Sequence, residues 1–104
     1  MPIHEISPQE VQARLDAGET LNLVDVRQPW EYARYHISGA LLLPTDSFAA
    51  NYAALLDLDD EIICVCEHGI RSEAAARFLA AQGYENAATM VGGMSVYGGV
   101  VETE

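Results

Sequence analysis

Cys66 and Arg71 are separated by four residues in Cys66-Glu67-His68-Gly69-Ile70-Arg71, and a thiol paired with a guanidinium at loop spacing is equipped for nucleophilic chemistry. Their setting strengthens that reading. Residues Glu61 to Val65 are largely apolar and β-branched without helical spacing, which predicts a buried strand, and Ser72 followed by Glu73, Ala74, Ala75 and Ala76 predicts a helix start. Cys66 therefore falls where strand turns into helix. Backbone N–H groups at a helix start are unpaired and the macrodipole is positive there, so a thiolate among them is stabilised. The expectation is a nucleophilic Cys66 whose charged sulfur is cradled by the backbone of Glu67, His68, Gly69, Ile70, Arg71 and Ser72.

Loop length bears on what is bound. Cysteine phosphatases use a loop longer by one residue, wide enough to surround three phosphate oxygens, whereas the shorter ring here suits something nearer a single atom, such as sulfur. Gly69 supplies a left-handed turn or a close approach, and Arg71 braces the loop or offsets the charge of the bound sulfur. Glu67 sets an acid beside the nucleophile. Cys64 lies inside the strand and reads as core packing, against the alternative of a thiol that competes for a sulfur on Cys66. A metal site built on Cys64 and Cys66 would need two further ligands, and nothing at ligand spacing supplies them.

The elements that must position this loop follow in order along the chain. Ile3 to Ile6 predicts a first strand; Ser7, Pro8 and Glu10 supply cap, first helical residue and capping-box acid for a helix to about Ala17, closed by Gly18. Leu21 to Val26 reads as a strand buried on both faces and leads into Asp25-Val26-Arg27. A short helix over Gln28 to Tyr35, with Trp30 and Tyr32 packing it, precedes a short strand at Ala40 to Leu43. A helix from Asp46 or Ser47 to Leu56 follows, with Phe48, Tyr52, Leu55 and Leu56 inward. After the sulfur-loop helix, which carries Ala75, Phe78 and Leu79 inward and stops at Gly83, Ala87 to Val91 predicts a last strand. Gly92-Gly93, a short helix from Met94 to Tyr97 and a polar tail expected to fray complete the chain. Strands alternating with helices imply an α/β layer fold with a mainly parallel sheet, in which ligands sit beyond the carboxyl ends of the strands, where Cys66 and Arg27 fall.

Composition bounds the rest. With 104 residues, half of them apolar, residues 1–104 form a single domain able to bury a core. Two cysteines one residue apart make a poor disulfide framework, which implies reduced thiols and a cytoplasmic setting, and no transmembrane run or signal peptide is visible. Sixteen acidic residues stand against five arginines and no lysine, a net charge of −11. Nucleic acid is therefore a poor partner, and no membrane association is expected.

Four pieces of the chain, in order, resemble a single-domain rhodanese: Asp25-Val26-Arg27; Glu31 with His36-Ile37-Ser38-Gly39-Ala40 and Pro44; Cys66 to Ser72; and Gly92-Gly93. The resemblance implies a five-stranded sheet flanked by helices and a sulfurtransferase that forms a Cys66 persulfide from a donor such as thiosulfate or a persulfide. The outer sulfur would go to cyanide, a thiol or a sulfur-carrier protein, with no cofactor or metal. Cys66 and Arg71 are the catalytic candidates. Residues 67–70, Ser72 and Arg27 are substrate-binding candidates, with Arg27 guiding anionic donors from the sheet edge. Asp25, Glu31 and His36 are supporting candidates: Asp25 and Arg27 as a strand-end ion pair or as site residues, Glu31 as partner of an arginine near the site or as a surface residue, His36 as a turn hydrogen-bonder rather than a proton-transfer group. His68 either tunes Cys66 or faces solvent. Tyr35 and Tyr97 depart from the family's usual glycine and tryptophan, and the loop lacks the basic residues that suit dianionic thiosulfate. The alternatives are a non-catalytic rhodanese-like module that docks a partner through its acidic surface, and a small cysteine phosphatase or arsenate reductase.

Overall fold

Alternation along Ile62–Val65, here β5, sets the architecture: Ile62, Cys64 and Cys66 enter one apolar cluster while Ile63 and Val65 enter another. A strand buried on both sides needs cover on both faces, and the chain supplies it. The computed structural model describes residues 2–104. Its elements are β1 (His4–Ile6), α1 (Pro8–Asp16), β2 (Leu23–Asp25), α2 (Pro29–Arg34), β3 (His36–Ile37), β4 (Leu41–Leu42), α3 (Thr45–Leu55), β5, α4 (Ile70–Ala81), β6 (Ala87–Met90), a 3-10 turn at Met94–Val96 and β7 (Val101–Glu102). Five strands pair in parallel in the order β1-β6-β5-β2-β4. The α/β fold and its five-stranded sheet are as expected.

Phe48 of α3 and Leu79 of α4 cover one face; Val11 of α1, with Tyr32 of α2 and Tyr35 just after it, covers the other. Consequently α2, which follows β2, and α4, which follows β5, diverge to opposite faces from neighbouring strands. A crevice opens between them at the carboxyl edge, the usual ligand position in such sheets.

Three local expectations are corrected. The last helix starts at Ile70 rather than Ser72, because Gly69 at φ +95° takes the left-handed turn that ends the loop; Ser72 sits buried in the first turn and is no cap. Leu55 is 53% exposed, since α3 turns its buried stripe through Phe48 and the chain returns to the core only at Leu56. The tail does not fray over its whole length: β7 pairs antiparallel with β3, His36 opposite Glu102 and Ile37 opposite Val101, and the Glu104 amide donates to Ala33 O. Those bonds satisfy β3, which lies outside the five-stranded sheet.

Candidate active site

The register of β2 against β5 places Asp25 beside Val65, so the residues two beyond each strand end, Arg27 and Glu67, emerge side by side. Arg27 Nη1 lies 3.2 Å from Glu67 Oε1. The rest of the guanidinium is spent on Asp25, with Nε to Oδ1 at 2.9 Å and Nη2 to Oδ2 at 2.8 Å, and on the Tyr35 carbonyl at 2.6 Å. Arg27 is 0% exposed. It does not point from the sheet edge toward incoming anions, which corrects the substrate-guiding expectation. With Asp25 it forms a buried, fully hydrogen-bonded ion pair tying the end of β2 to α2 and to the sulfur loop. Glu67 is held a second time by the Tyr35 hydroxyl at 2.6 Å, while burial followed by this acidic acceptor pushes the Tyr35 phenol up from its ordinary range.

Cys66 is 1% exposed and its Sγ accepts hydrogen bonds from Gly69 N at 3.0 Å and Ser72 N at 3.3 Å. Ser72 Oγ lies 3.4 Å away. The amides of Glu67, His68, Ile70 and Arg71 do not bond to Sγ and have no acceptor among the described residues. Only part of the expected cradle therefore grips Cys66 itself. The remaining amides are donors to spare beside a buried sulfur.

Two features fix the start of the loop. Met94 N and Ser95 N donate to the carbonyls of Cys66 and Glu67 at 2.8 and 2.9 Å, pinning those oxygens on the far side. Gly93, at φ +70°, makes that approach possible, because a Cβ there would overlap both carbonyl oxygens.

Arg71 reaches back across the crevice to Glu31 of α2, Nη1 to Oε1 at 2.8 Å and Nη2 to Oε2 at 2.9 Å, so Glu31 does pair with an arginine beside the loop. Hydrogen bonding from Arg71 holds the Glu31 carboxyl down at about 2, against an opposing push from burial. His36 keeps to its turn, with Nδ1 2.7 Å from Tyr32 O and its ring stacked on Tyr32 at 3.7 Å between centroids. Tyr32 is a packing residue as expected. Trp30 is not, being 62% exposed at the rim of a cavity of about 220 Å³ that it shares with Arg27, Glu31, Arg34, Tyr35 and Glu67. His68 and Ile70 turn their side chains to solvent, so in the loop they offer backbone amides. Cys64 is buried in the core, and burial pushes its thiol up to about 12. Sequence reasoning passed over Thr89, whose hydroxyl sits 2.7 Å from Ser72 Oγ, and the hydroxyl of Tyr35. A polar residue amid the apolar Ala87–Met90 was the available signal for Thr89.

Residues 7–99 match the rhodanese-like domain family model. The chain belongs to the rhodanese-like domain family. It is 40% identical over 93 residues to a thiosulfate sulfurtransferase of Haemophilus influenzae (strain Rd), GlpE, covering 89% of this chain and 86% of that protein. It is 37% identical over 100 residues to a putative sulfur carrier protein of Bacillus subtilis, YrkF, covering 96% of this chain and 54% of that one. Among solved structures, a rhodanese-like domain protein from Staphylococcus aureus superposes with a TM-score of 0.87 at 28% identity, over 98% of this chain and 99% of that one. A rhodanese-like domain from Anabaena gives 0.89 at 23% identity, over 100% and 81%. This rhodanese-like chain is thus a sulfurtransferase by class. No helix among the described residues is long and apolar enough to cross a membrane.

Proposed function

We propose that this rhodanese moves a sulfane sulfur through a persulfide on Cys66. The observation that carries the reading is the loop's division of labour: two amides grip Cys66 Sγ, and four more, of Glu67, His68, Ile70 and Arg71, have no acceptor among the described residues. A thiolate needs only the first set. A persulfide adds one charged atom beyond Sγ, and spare amides at a helix start are the donors such an atom requires, by the logic of an oxyanion hole. In loading, Cys66 thiolate attacks the sulfane sulfur of the donor and the donor leaves as sulfite or a thiolate. In discharge, cyanide, a thiol or a protein-borne thiolate takes the outer sulfur and Cys66 is regenerated.

Charge around the loop favours neutral or protein-borne sulfur over thiosulfate. Four of the five arginines are already paired with carboxylates, Arg14 with Glu19 and Glu61, Arg27 with Asp25 and Glu67, Arg71 with Glu31, and Arg77 with Glu73. The fifth, Arg34, is exposed on the cavity that it shares with Glu67 and is in no ion pair among the described residues, so a single surplus cation near the loop faces a dianion and a net charge of −11. A sulfur-carrier protein is a fitting acceptor, and free thiols suit a reducing compartment such as the cytoplasm.

Incubation with thiosulfate or a low-molecular-weight persulfide should add the mass of one sulfur atom to the protein, the addition should vanish in Cys66→Ser, and cyanide should remove it as thiocyanate. Sulfur that still adds to Cys66→Ser, or fails to add to the wild type, sinks the reading.

A further inference from the structure

Thr89 on β6 is a polar side chain in the sheet interior, 2% exposed, and its hydroxyl has a single hydrogen-bond partner among the described residues, Ser72 Oγ at 2.7 Å. Ser72 is equally buried, and its Oγ meets three groups: Thr89 Oγ1, Gly69 O at 3.2 Å and Cys66 Sγ at 3.4 Å. A serine hydroxyl owns one proton and two lone pairs. Of the two possible directions for this bond, donation from Thr89 to Ser72 is the one that leaves neither hydroxyl proton without an acceptor among the described residues, and it occupies one of those lone pairs.

One lone pair and one proton of Ser72 are then left for Gly69 O and Cys66 Sγ. The carbonyl can only accept, whereas the sulfur can do either, so the charge on sulfur decides. With Cys66 as a thiol, S–H donates to Ser72 Oγ and Ser72 donates to Gly69 O. With Cys66 as a thiolate, the Ser72 proton turns to Sγ and becomes its third donor beside the amides of Gly69 and Ser72. With an outer sulfur attached, the charge lies beyond Sγ, and the proton goes back to Gly69 O.

We infer that Thr89 is a positioning residue that makes Ser72 a one-proton rotor, stabilising Cys66 as the departing thiolate when the outer sulfur is handed on. This role rests on the Cys66 persulfide chemistry proposed for this chain. In the discharge step a lone pair of the acceptor, cyanide or a thiolate, forms a bond to the outer sulfur. The bond between that sulfur and Sγ breaks, its electron pair stays on Sγ, and the total charge is unchanged with no oxidant or reductant consumed. The rotor turns as that pair arrives. Donation from Thr89 polarises the Ser72 hydroxyl toward Sγ, since hydrogen bonds in a chain strengthen one another in a dry interior. The thiolate gains from this and the persulfide does not, so the network favours release of sulfur.

Two measurements on Ser72→Ala, Thr89→Val and Thr89→Ser decide the matter: the pH dependence of Cys66 alkylation by iodoacetamide, followed by mass, and the rate at which persulfide-loaded protein discharges to cyanide. Losing a donor to the charged form moves the alkylation midpoint upward, by about one pH unit in Ser72→Ala and about half that in Thr89→Val. Discharge should slow in the same order, by roughly tenfold and roughly threefold. Thr89→Ser, which keeps the hydroxyl, should match the wild type in both, an outcome that a purely packing role for Thr89 does not produce. Thr89→Ala, also without the hydroxyl, replaces Thr89→Val if circular dichroism shows the latter misfolded. A hydroxyl-free variant with wild-type midpoint and discharge, or a Thr89→Ser as impaired as Thr89→Val, overturns the assignment. Alkylation needs no sulfur donor, so a wild type that takes up no sulfur refutes the persulfide chemistry separately, and an unshifted midpoint still refutes the rotor.

Discussion

Arg71 grips both oxygens of Glu31 in a fork-to-fork pair that closes the crevice between α2 and α4, and Glu31 also accepts from the Gln28 amide at 2.9 Å. The carboxyl is held down at about 2, against 4.5 for an ordinary glutamate. Its stabilisation is therefore fully present above about pH 4.5 and drains away as pH falls toward 2. Glu31→Gln should lower stability at pH 7 by about 1 kcal/mol, a figure discounted because Arg71 is partly solvated. Urea unfolding of wild type and variant should show that gap at pH 7 and little of it at pH 2.5; a gap independent of pH would mean the pair is not what Glu31 contributes. At this scale the spacing of Cys66 and Arg71, and the pairing of Glu31, were legible because residue type and separation carry them. Arg27 misled for a physical reason: a guanidinium after a strand end is ordinarily solvated, and its burial depends on Asp25, Tyr35 O after α2, and Glu67, which the register of β2 on β5 brings alongside.

The loop is shaped by a segment outside it. The amides of Met94 and Ser95, in the turn after β6, fix the carbonyls of Cys66 and Glu67 and so hold the start of the loop. Gly93 sits at that contact with a positive φ, and any Cβ there collides with backbone that cannot swing away. Gly93→Ala should cost about 3 kcal/mol in urea unfolding and slow sulfur loading by at least tenfold in the molecules that stay folded. Wild-type loading in a folded Gly93→Ala would mean that the turn does not shape the loop. Long elements with a clear period, β5 and α4 foremost, could be read from sequence. The start of α4 could not be read to the residue, since a serine before an alanine run imitates a cap while the left-handed Gly69 does that work three positions earlier. Pairing of β7 with β3 was also hidden, because two-residue strands carry no period and only their meeting in space defines them.

A net charge of −11 on 104 residues gives the whole molecule a negative field, and the pairing of the arginines leaves little to reverse it at the crevice. Thiosulfate carries two negative charges, so its approach is opposed over a distance set by screening. Raising ionic strength from about 10 mM to 0.15 M shortens that distance from about 30 Å to about 8 Å. The kcat/KM for thiosulfate loading should accordingly rise, by roughly two- to fivefold, whereas loading from an uncharged organic trisulfide should stay flat. An acceptor protein with a basic surface should respond in the opposite sense, its second-order rate of sulfur uptake falling with added salt as attraction is screened. Stopped-flow or quenched-flow mass measurements of loading and discharge at these two salt levels separate the cases. A thiosulfate rate that falls with salt would require a local positive field at Cys66, supplied by Arg34 at the cavity rim or by an arginine released from the pairs described.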